Sequence, residues 1–519
     1  MKTENYRHII GLFLGLLIFI IIILLPTPQS FISIAQKSYN TVQLNREVLE
    51  LAYSTKIVLA LLLLMIVWWI TEAIPIPATA LLPGVLLPLM HVIGIANGKA
   101  FLFNSKNVFI NYANPVIFLF LGGFLLAAAM QKWGLDRRLT LFLLTKGELA
   151  NSSKKIILGV MCVSAFLSMW ISNTATTAML LPLGIGIITQ SGINPQKSNF
   201  GKALMLGIAW AASIGGVGTI IGTPPNGICV SILGASKIAD INFVDWMKFG
   251  VPFVILFIPV AWFLIIKVFP PEIKSIEGGK ELLLKQRAEF KNFSRGEKAT
   301  IIVFIIAVLL WVSNPFWNYI FSESFAESLS SFDEYVIGLF AALLLFVIPV
   351  DLKNKKFALE WTDTKFVDWG TLILFGGGIA LSDAMFKTGL ASWIATSFVG
   401  IIGNPSTILL LFLIVLLIAL LTEVTSNTAV TSMMIPIVIS IARGSGADPI
   451  TLSIGTALAA SMAFMLPVAT PPNALVYGTG LIKIKDMFRC GFILDMLGWI
   501  FTVFIVYVFA DKIFGIVSF

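Results

Sequence analysis

The chain has 519 residues, of which 58% are hydrophobic and only 12% charged, with a mean hydropathy of +0.94. A soluble protein of this length would carry about twice that charge, so the composition excludes an ordinary soluble fold and indicates a polytopic membrane protein. The net charge of +8 does not indicate nucleic-acid binding, because Lys and Arg gather in a few loops, the pattern that sets membrane topology.

Residues 9–25 form a first apolar helix, read as a retained anchor, and a polar outer segment follows to Lys56. Residues 57–94 are too long for one span and hold four prolines, which predicts two helices broken near Glu72–Pro77. Trp68 and Trp69 fit an interfacial aromatic belt, and Glu72 reads as an interfacial acid ahead of a substrate role. Residues 115–131 make the next span. Residues 156–188 then form a run of 33 residues, about 50 Å as a helix, against a hydrocarbon core of about 30 Å. The run must break, and Ser172-Asn173-Thr174 lies at its midpoint. Two half-length arms meeting at a polar tip describe a re-entrant hairpin. Residues 203–234 carry several glycines and Thr223-Pro-Pro-Asn226 in mid-span, so this helix is also interrupted. A span over 249–268 and a hydrophilic linker over 271–298 close the first half; the linker reads equally as a surface amphipathic segment or a solvated loop.

The second half repeats the plan. Spans are expected over 299–320, 335–350 and 371–390, and the last echoes 116–135 with Gly377-Gly378 standing for Gly122-Gly123 and Gly389-Leu390 for Gly134-Leu135. Such glycines read as close helix packing. A second over-long run, 408–442, is broken by Ser426-Asn427-Thr428, 254 residues after the first tripeptide. A second interrupted helix, 451–482, holds Thr470-Pro-Pro-Asn473, and 488–512 is the last span.

Placing the basic loops (N-terminus, 132–155, 271–298, 351–366 and 483–489) inside gives eleven spans, with the N-terminus cytoplasmic and the C-terminus outside. The acidic 321–334 loop then falls outside. The two hairpins enter from opposite faces, so the halves (57–270 and 299–519, flanking the cytoplasmic linker and preceded by 1–56) are inverted repeats. The expected fold is an all-α polytopic membrane protein with eleven transmembrane helices and two opposed re-entrant hairpins.

A hairpin tip at mid-membrane offers carbonyls, hydroxyls and a side-chain amide. Neutral oxygens suit a monovalent cation such as Na⁺; donors and half-helix N-termini suit a carboxylate or other oxyanion. The first tip has no Asp or Glu, which argues against a divalent-metal cage. Glu423 and Asp383 read as interfacial packing ahead of a proton relay. Three scattered cysteines and His8 and His91 give no disulfide framework, metal spacing or catalytic constellation, so no enzyme is expected.

The motifs WWITEAIPIPATALLP, the two SNT tripeptides, IGTPPN, LILFGGG and ATPPNA, from residue 68 to beyond 473, together resemble the divalent anion:sodium symporter family of di- and tricarboxylate transporters. The resemblance implies a homodimer in the lipid of the cell membrane. Each protomer would be split into scaffold and transport domains that work as an elevator. It also implies a first Na⁺ site at Ser168, Ser172, Asn173 and Gly222, and a second at Thr422, Thr425, Asn427 and Ala469. Thr425 stands where some members carry Ala. The dicarboxylate would touch Asn173, Thr174, Asn427 and Thr428, with Thr223 and Thr470 close by. The implied activity is secondary transport of C4-type dicarboxylates (succinate, malate, fumarate) and of 2-oxoglutarate, coupled to Na⁺; the alternative is a Na⁺-independent dicarboxylate exchanger (2-oxoglutarate/malate/succinate antiporter).

Overall fold

Apolar helices joined by short polar turns make up nearly all of the fold, seen here in a computed structural model that describes residues 2–145, 152–275, 279–290, 292–329, 331–403 and 405–514. Parts of the 132–155, 271–298 and 321–334 loops lie outside the described residues. Helix α1 (Lys2–Leu24) runs along α3 (Arg46–Thr71), and α2 (Gln29–Ser38) joins them. The predicted break falls at Glu72, a left-handed residue (φ 52°) whose N–H closes α3 on the Trp68 carbonyl. Two short helices, α4 (Ile76–Thr79) and α5 (Leu82–Leu89), then start at prolines. Trp68 and Trp69 are not an interfacial belt: both are buried, and their indole N–H groups donate to Leu12 and Ile76 carbonyls at 3.3 Å.

A small antiparallel hairpin, β1 (Ile93–Ala96) and β2 (Lys99–Leu102), leads through α6 (Ser105–Phe109) to α7 (Pro115–Lys132) and α8 (Leu135–Leu144). The first hairpin consists of α9 (Ser153–Ser168) and α10 (Asn173–Gln190). The interrupted helix follows as α11 (Asn199–Gly216) and α12 (Pro224–Ala235), then α13 (Phe243–Val268) and the linker helix α14 (Gly279–Ala288).

The second half holds α15 (Arg295–Ser313), the short α16 (Trp317–Ile320) and α17 (Glu323–Ser328), and α18 (Glu334–Val347). After a second hairpin, β3 (Pro349–Asp351) with β4 (Lys356–Phe357), come α19 (Trp369–Lys387) and α20 (Leu390–Ile402). Helices α21 (Thr407–Thr422) and α22 (Asn427–Ser445) form the second hairpin; α23 (Pro449–Ala460), α24 (Pro471–Gly478) and α25 (Ile484–Phe514) complete the chain. The two β-hairpins depart from the all-α expectation; each is a tight turn between membrane elements.

Among the described residues, eight helices are long and apolar enough to cross a membrane, or nine if α20 and α21, bent by 105°, count as one span. The chain is a multi-pass membrane protein. The internal echo read in the sequence has a structural counterpart: Gly134 (φ 63°) and Gly389 (φ 85°) both take the left-handed conformation that turns α7 into α8 and α19 into α20. Within each half the interrupted helix packs on its own hairpin, α11 on α9 and α23 on α21. Beyond the break the packing crosses over, with α12 against α22 and α24 against α10. That exchange brings the two polar tips together.

Candidate functional site

Each tip is built by the same local chemistry. Ser172 and Ser426 are N-caps, their hydroxyls accepting from Ala175 and Ala429 N–H at 3.3 and 3.5 Å. The next residue, Asn173 or Asn427, opens the second arm. Its Oδ1 accepts from a hydroxyl on the first arm: Ser168 at 2.7 Å and Thr422 at 2.5 Å. Each amide is thereby oriented, and its Nδ2 hydrogens are donors available to a ligand.

The Thr-Pro-Pro-Asn motifs are helix starts. Proline sits where a helix has no use for an N–H, and Thr470 caps α24 by accepting from Asn473 N–H at 3.3 Å. The Asn then reaches back over the unwound segment. Asn226 Nδ2 donates to the Gly216 and Thr219 carbonyls (3.0 and 2.7 Å), and Asn473 Nδ2 to those of Ala463 and Leu466 (both 3.0 Å). Both asparagines are fully buried. They satisfy carbonyls that the helix break orphans where no bulk water can do so.

A cavity of about 550 Å³ lies between these elements, within the size range of small-molecule sites. Ser172, Asn173 and Thr174 line it from one tip, and Ser426, Asn427 and Thr428 from the other; Gly222, Thr223, Ala469 and Thr470 complete the predicted set on its wall. Four helices, α10, α12, α22 and α24, begin at this cavity. Their positive dipole ends and free N–H groups converge on it, which favours an anion. The helices that end there, α9, α11, α21 and α23, place their negative ends behind the tips.

The remaining predicted residues sit in that second layer. Ser168, Thr422 and Thr425 do not line the cavity and are buried. In the first half, neutral oxygens crowd round two glycines. A Cβ at Gly216 would collide with Asn173 Oδ1 and lie 3.1 Å from the Gly222 carbonyl; one at Gly222 would lie 3.0 Å from the Ser168 carbonyl. A set of uncharged oxygens fits a monovalent cation. In the second half, the single Thr422 hydroxyl proton is shared between Asn427 Oδ1 and the Ala460 carbonyl, which lies 2.8 Å from Oγ1. The Thr425 hydroxyl is engaged elsewhere, on the Trp69 carbonyl at 3.2 Å.

Several features were not foreseen. Glu72, Asp368, Thr371 and Phe124 line the cavity; for Glu72 the sequence ranks an interfacial role ahead of a substrate role, and nothing in the local sequence marks the others. Asp368 caps α19, accepting from Thr371 N–H (3.1 Å) and Oγ1 (2.6 Å). Glu423 is not interfacial: it is 2% exposed and accepts from Met465 and Leu466 N–H at 2.9 and 3.0 Å. Asp383 pairs with Lys387 at 2.8 Å. The latching role of Asn226 and Asn473 was signalled only by their recurrence in both motifs. A second cavity of about 470 Å³, between Asn114–Val116, Val230–Asp240 and Tyr335, lies away from the motifs.

This paired geometry can be set beside known proteins. The profile of the sodium:sulfate symporter transmembrane region matches residues 48–516, nearly the whole chain. The chain belongs to the sodium:sulfate symporter family. Within that family it is 37% identical over 526 residues to the sodium-dependent dicarboxylate transporter SdcS of Staphylococcus saprophyticus, covering 99% of this chain and 94% of the relative. It is likewise 37% identical over 529 residues to SdcS of Staphylococcus aureus, with the same coverage. Among solved structures, the Alcanivorax borkumensis YdaH transporter matches 88% of this chain and 98% of its own, with a TM-score of 0.53 and 14% identity, a likeness of fold alone. The family and these relatives are transporters rather than enzymes.

Proposed function

We propose that this symporter-family chain is a secondary active transporter of C4-type dicarboxylates (succinate, malate, fumarate) and of the five-carbon 2-oxoglutarate, coupled to Na⁺. The observation that carries the reading is the layered site: four helix N-termini and two oriented asparagine amides face one cavity, with neutral oxygens and helix C-termini behind them. The front layer suits a dianion and the back layer suits monovalent cations. The relatives' description as sodium-dependent dicarboxylate transporters supports the same assignment and favours symport over exchange.

In this reading Asn173, Thr174, Thr223, Asn427, Thr428 and Thr470 hold the dicarboxylate. Ser168, Ser172, Asn173 and Gly222 hold one Na⁺; Thr422, Thr425, Asn427 and Ala469 hold the other. Two cations beside a dianion lower the cost of moving −2 through a low-dielectric passage. If Na⁺ orders the tips first, substrate affinity rises with it, and linkage makes the coupling reciprocal. In the same reading the chain has eleven spans in inverted repeats with the N-terminus inside, and its hairpins belong to a transport domain that moves as an elevator against a scaffold in a homodimer.

Transport in proteoliposomes separates symport from exchange. With no internal substrate, an inward Na⁺ gradient drives accumulation of radiolabelled succinate. A strict need for internal dicarboxylate, with indifference to Na⁺, would replace this reading by the exchanger.

A further inference from the structure

The second tip is tied to the end of α3, and the way α3 ends explains why. Glu72 closes the helix in the left-handed conformation, and the Ala73 N–H returns to the Trp68 carbonyl. The carbonyls of Trp69 and Ile70 therefore lie beyond the helix's own hydrogen bonds and need outside donors. Those donors come from the second tip and from α1. Thr425 donates to the Trp69 carbonyl at 3.2 Å, and Arg7 donates to that of Ile70. His8 Nδ1, facing a carbonyl that can only accept, donates to that of Glu72 at 2.8 Å.

Arg7 does more than cap α3. Its same Nη2 also donates to the Val424 carbonyl at 3.2 Å, so one guanidinium joins the end of α3 to the backbone of the tip. A cation suits a helix C-terminus, and hydrogen bonds from a charged donor are the strong ones. Helix α1 is itself fixed on α3. A Cβ at Gly11 would overlap Thr71 Oγ1, one at Gly15 would lie 2.6 Å from Trp68 Nε1, and that nitrogen donates to the Leu12 carbonyl at 3.3 Å. Arg7 thus reaches from a fixed pair of helices to an element that the proposed function sets in motion. At the first tip the matching residues meet apolar surface instead. Trp170 lies against Phe243 and Phe304, and Ile171 packs with Ala127, Met130 and Leu135. Apolar surfaces slide past one another, whereas a charged donor on a carbonyl is either held or released.

We infer that Arg7 is a positioning residue for transport: a latch that holds the second tip against the end of α3 and releases it in every cycle. The latch rests on the proposed function, in which the tips move against the rest of the protein. In the topology of that reading Arg7 and the end of α3 lie on the cytoplasmic side, so the latch favours the inward arrangement. Weakening it raises the share of molecules turned outward, and apparent affinity for external substrate rises with that share. Arg7→Gln therefore lowers the half-saturation for external succinate in intact cells by about threefold. Arg7→Lys keeps the charge that anchors α1 without the planar fork and shifts it the same way by less. A residue that only stabilised the fold or the insertion of α1 would lower the maximal rate and leave half-saturation unchanged.

Cross-linking tests the release with Arg7 in place. Cysteines replace Ile70 and Val424, whose carbonyls Arg7 bridges, in a Cys162→Ser background that removes the exposed native thiol. A short bis-methanethiosulfonate reagent then joins them. The latch predicts efficient joining, succinate uptake before joining, its loss afterwards, and its recovery on reduction with dithiothreitol. Uptake that persists in the joined protein, cysteines that do not join, or half-saturation that falls in neither Arg7 variant overturns it. The cross-link decides even where an Arg7 variant does not fold. Wild type that takes up no succinate, by Na⁺ gradient or by exchange, refutes the proposed transport and the latch with it; persistent uptake after joining removes the latch and leaves transport standing.

Discussion

The two halves build the same tip and support it differently. In both, an asparagine that opens a helix is oriented by a hydroxyl five residues earlier, and a second asparagine latches the facing break. The first tip is backed by apolar and neutral groups: Trp170 lies against Phe243 and Phe304, and Thr219 donates to the Met169 carbonyl at 2.5 Å. The second tip is backed by polar ties. Thr425 reaches Trp69, Arg7 of α1 donates to the Val424 carbonyl at 3.2 Å, and Glu423 accepts from the Met465 and Leu466 N–H groups. The oxygens behind the tips differ as well, with Gly216 and Gly222 in the first half where the second has Ala463 and Ala469. What recurs is the part that faces a ligand; what differs is the part that faces the rest of the protein. A tied tip and a packed tip need not respond alike to cations.

The largest effects come from what the halves share. Asn173→Ala and Asn427→Ala each abolish succinate uptake while leaving folded protein, as size-exclusion profiles and uptake assays would check; wild-type uptake in both would end the paired-site account. Next comes a substitution that sets the halves against each other. Gly216→Ala puts a methyl group against Asn173 Oδ1 and raises Na⁺ half-saturation about tenfold or more, the order of a strained polar site. Ala463→Gly, at the matching place, leaves it within about twofold.

Asn226→Ala and Asn473→Ala each remove two buried hydrogen bonds and lower stability by about 2–3 kcal/mol, seen as a drop in the thermal unfolding midpoint; similar drops in both variants would sustain the symmetry. The smallest effect belongs to Thr425→Ala. Its hydroxyl serves Trp69 and Ala keeps the backbone carbonyl through which residue 425 would hold Na⁺, so the loss is about 1 kcal/mol or less and uptake persists with Na⁺ half-saturation little changed.

The sequence was most legible where the membrane imposes arithmetic. Runs of 33 and 35 apolar residues cannot cross a bilayer straight, so the breaks at Ser172 and Ser426 followed from length before any geometry was known. Duplication then made Thr-Pro-Pro-Asn visible as a motif. Long-range partners stayed hidden. Glu423 lies 42 positions from its partner Met465 and Thr425 is 356 residues from Trp69, and neither periodicity nor composition records such pairings. The Trp68-Trp69 dipeptide misled for a related reason: an amphipathic ring suits a membrane interface or a buried carbonyl equally well, and here α1 and α4 supply the carbonyls. Glu72 and Asp368 reach the cavity wall only because distant elements fold beside the tips.

The most direct test of the central claim, that two tips hold cations behind one dicarboxylate, is the initial rate of radiolabelled succinate uptake as external Na⁺ is varied at constant ionic strength. Proteoliposomes free of internal substrate would carry wild type, Asn173→Ala or Asn427→Ala. The account predicts a rate that rises more steeply than first order in Na⁺ for wild type and is lost in both variants. Equal uptake when Na⁺ is replaced by K⁺ or choline would contradict it.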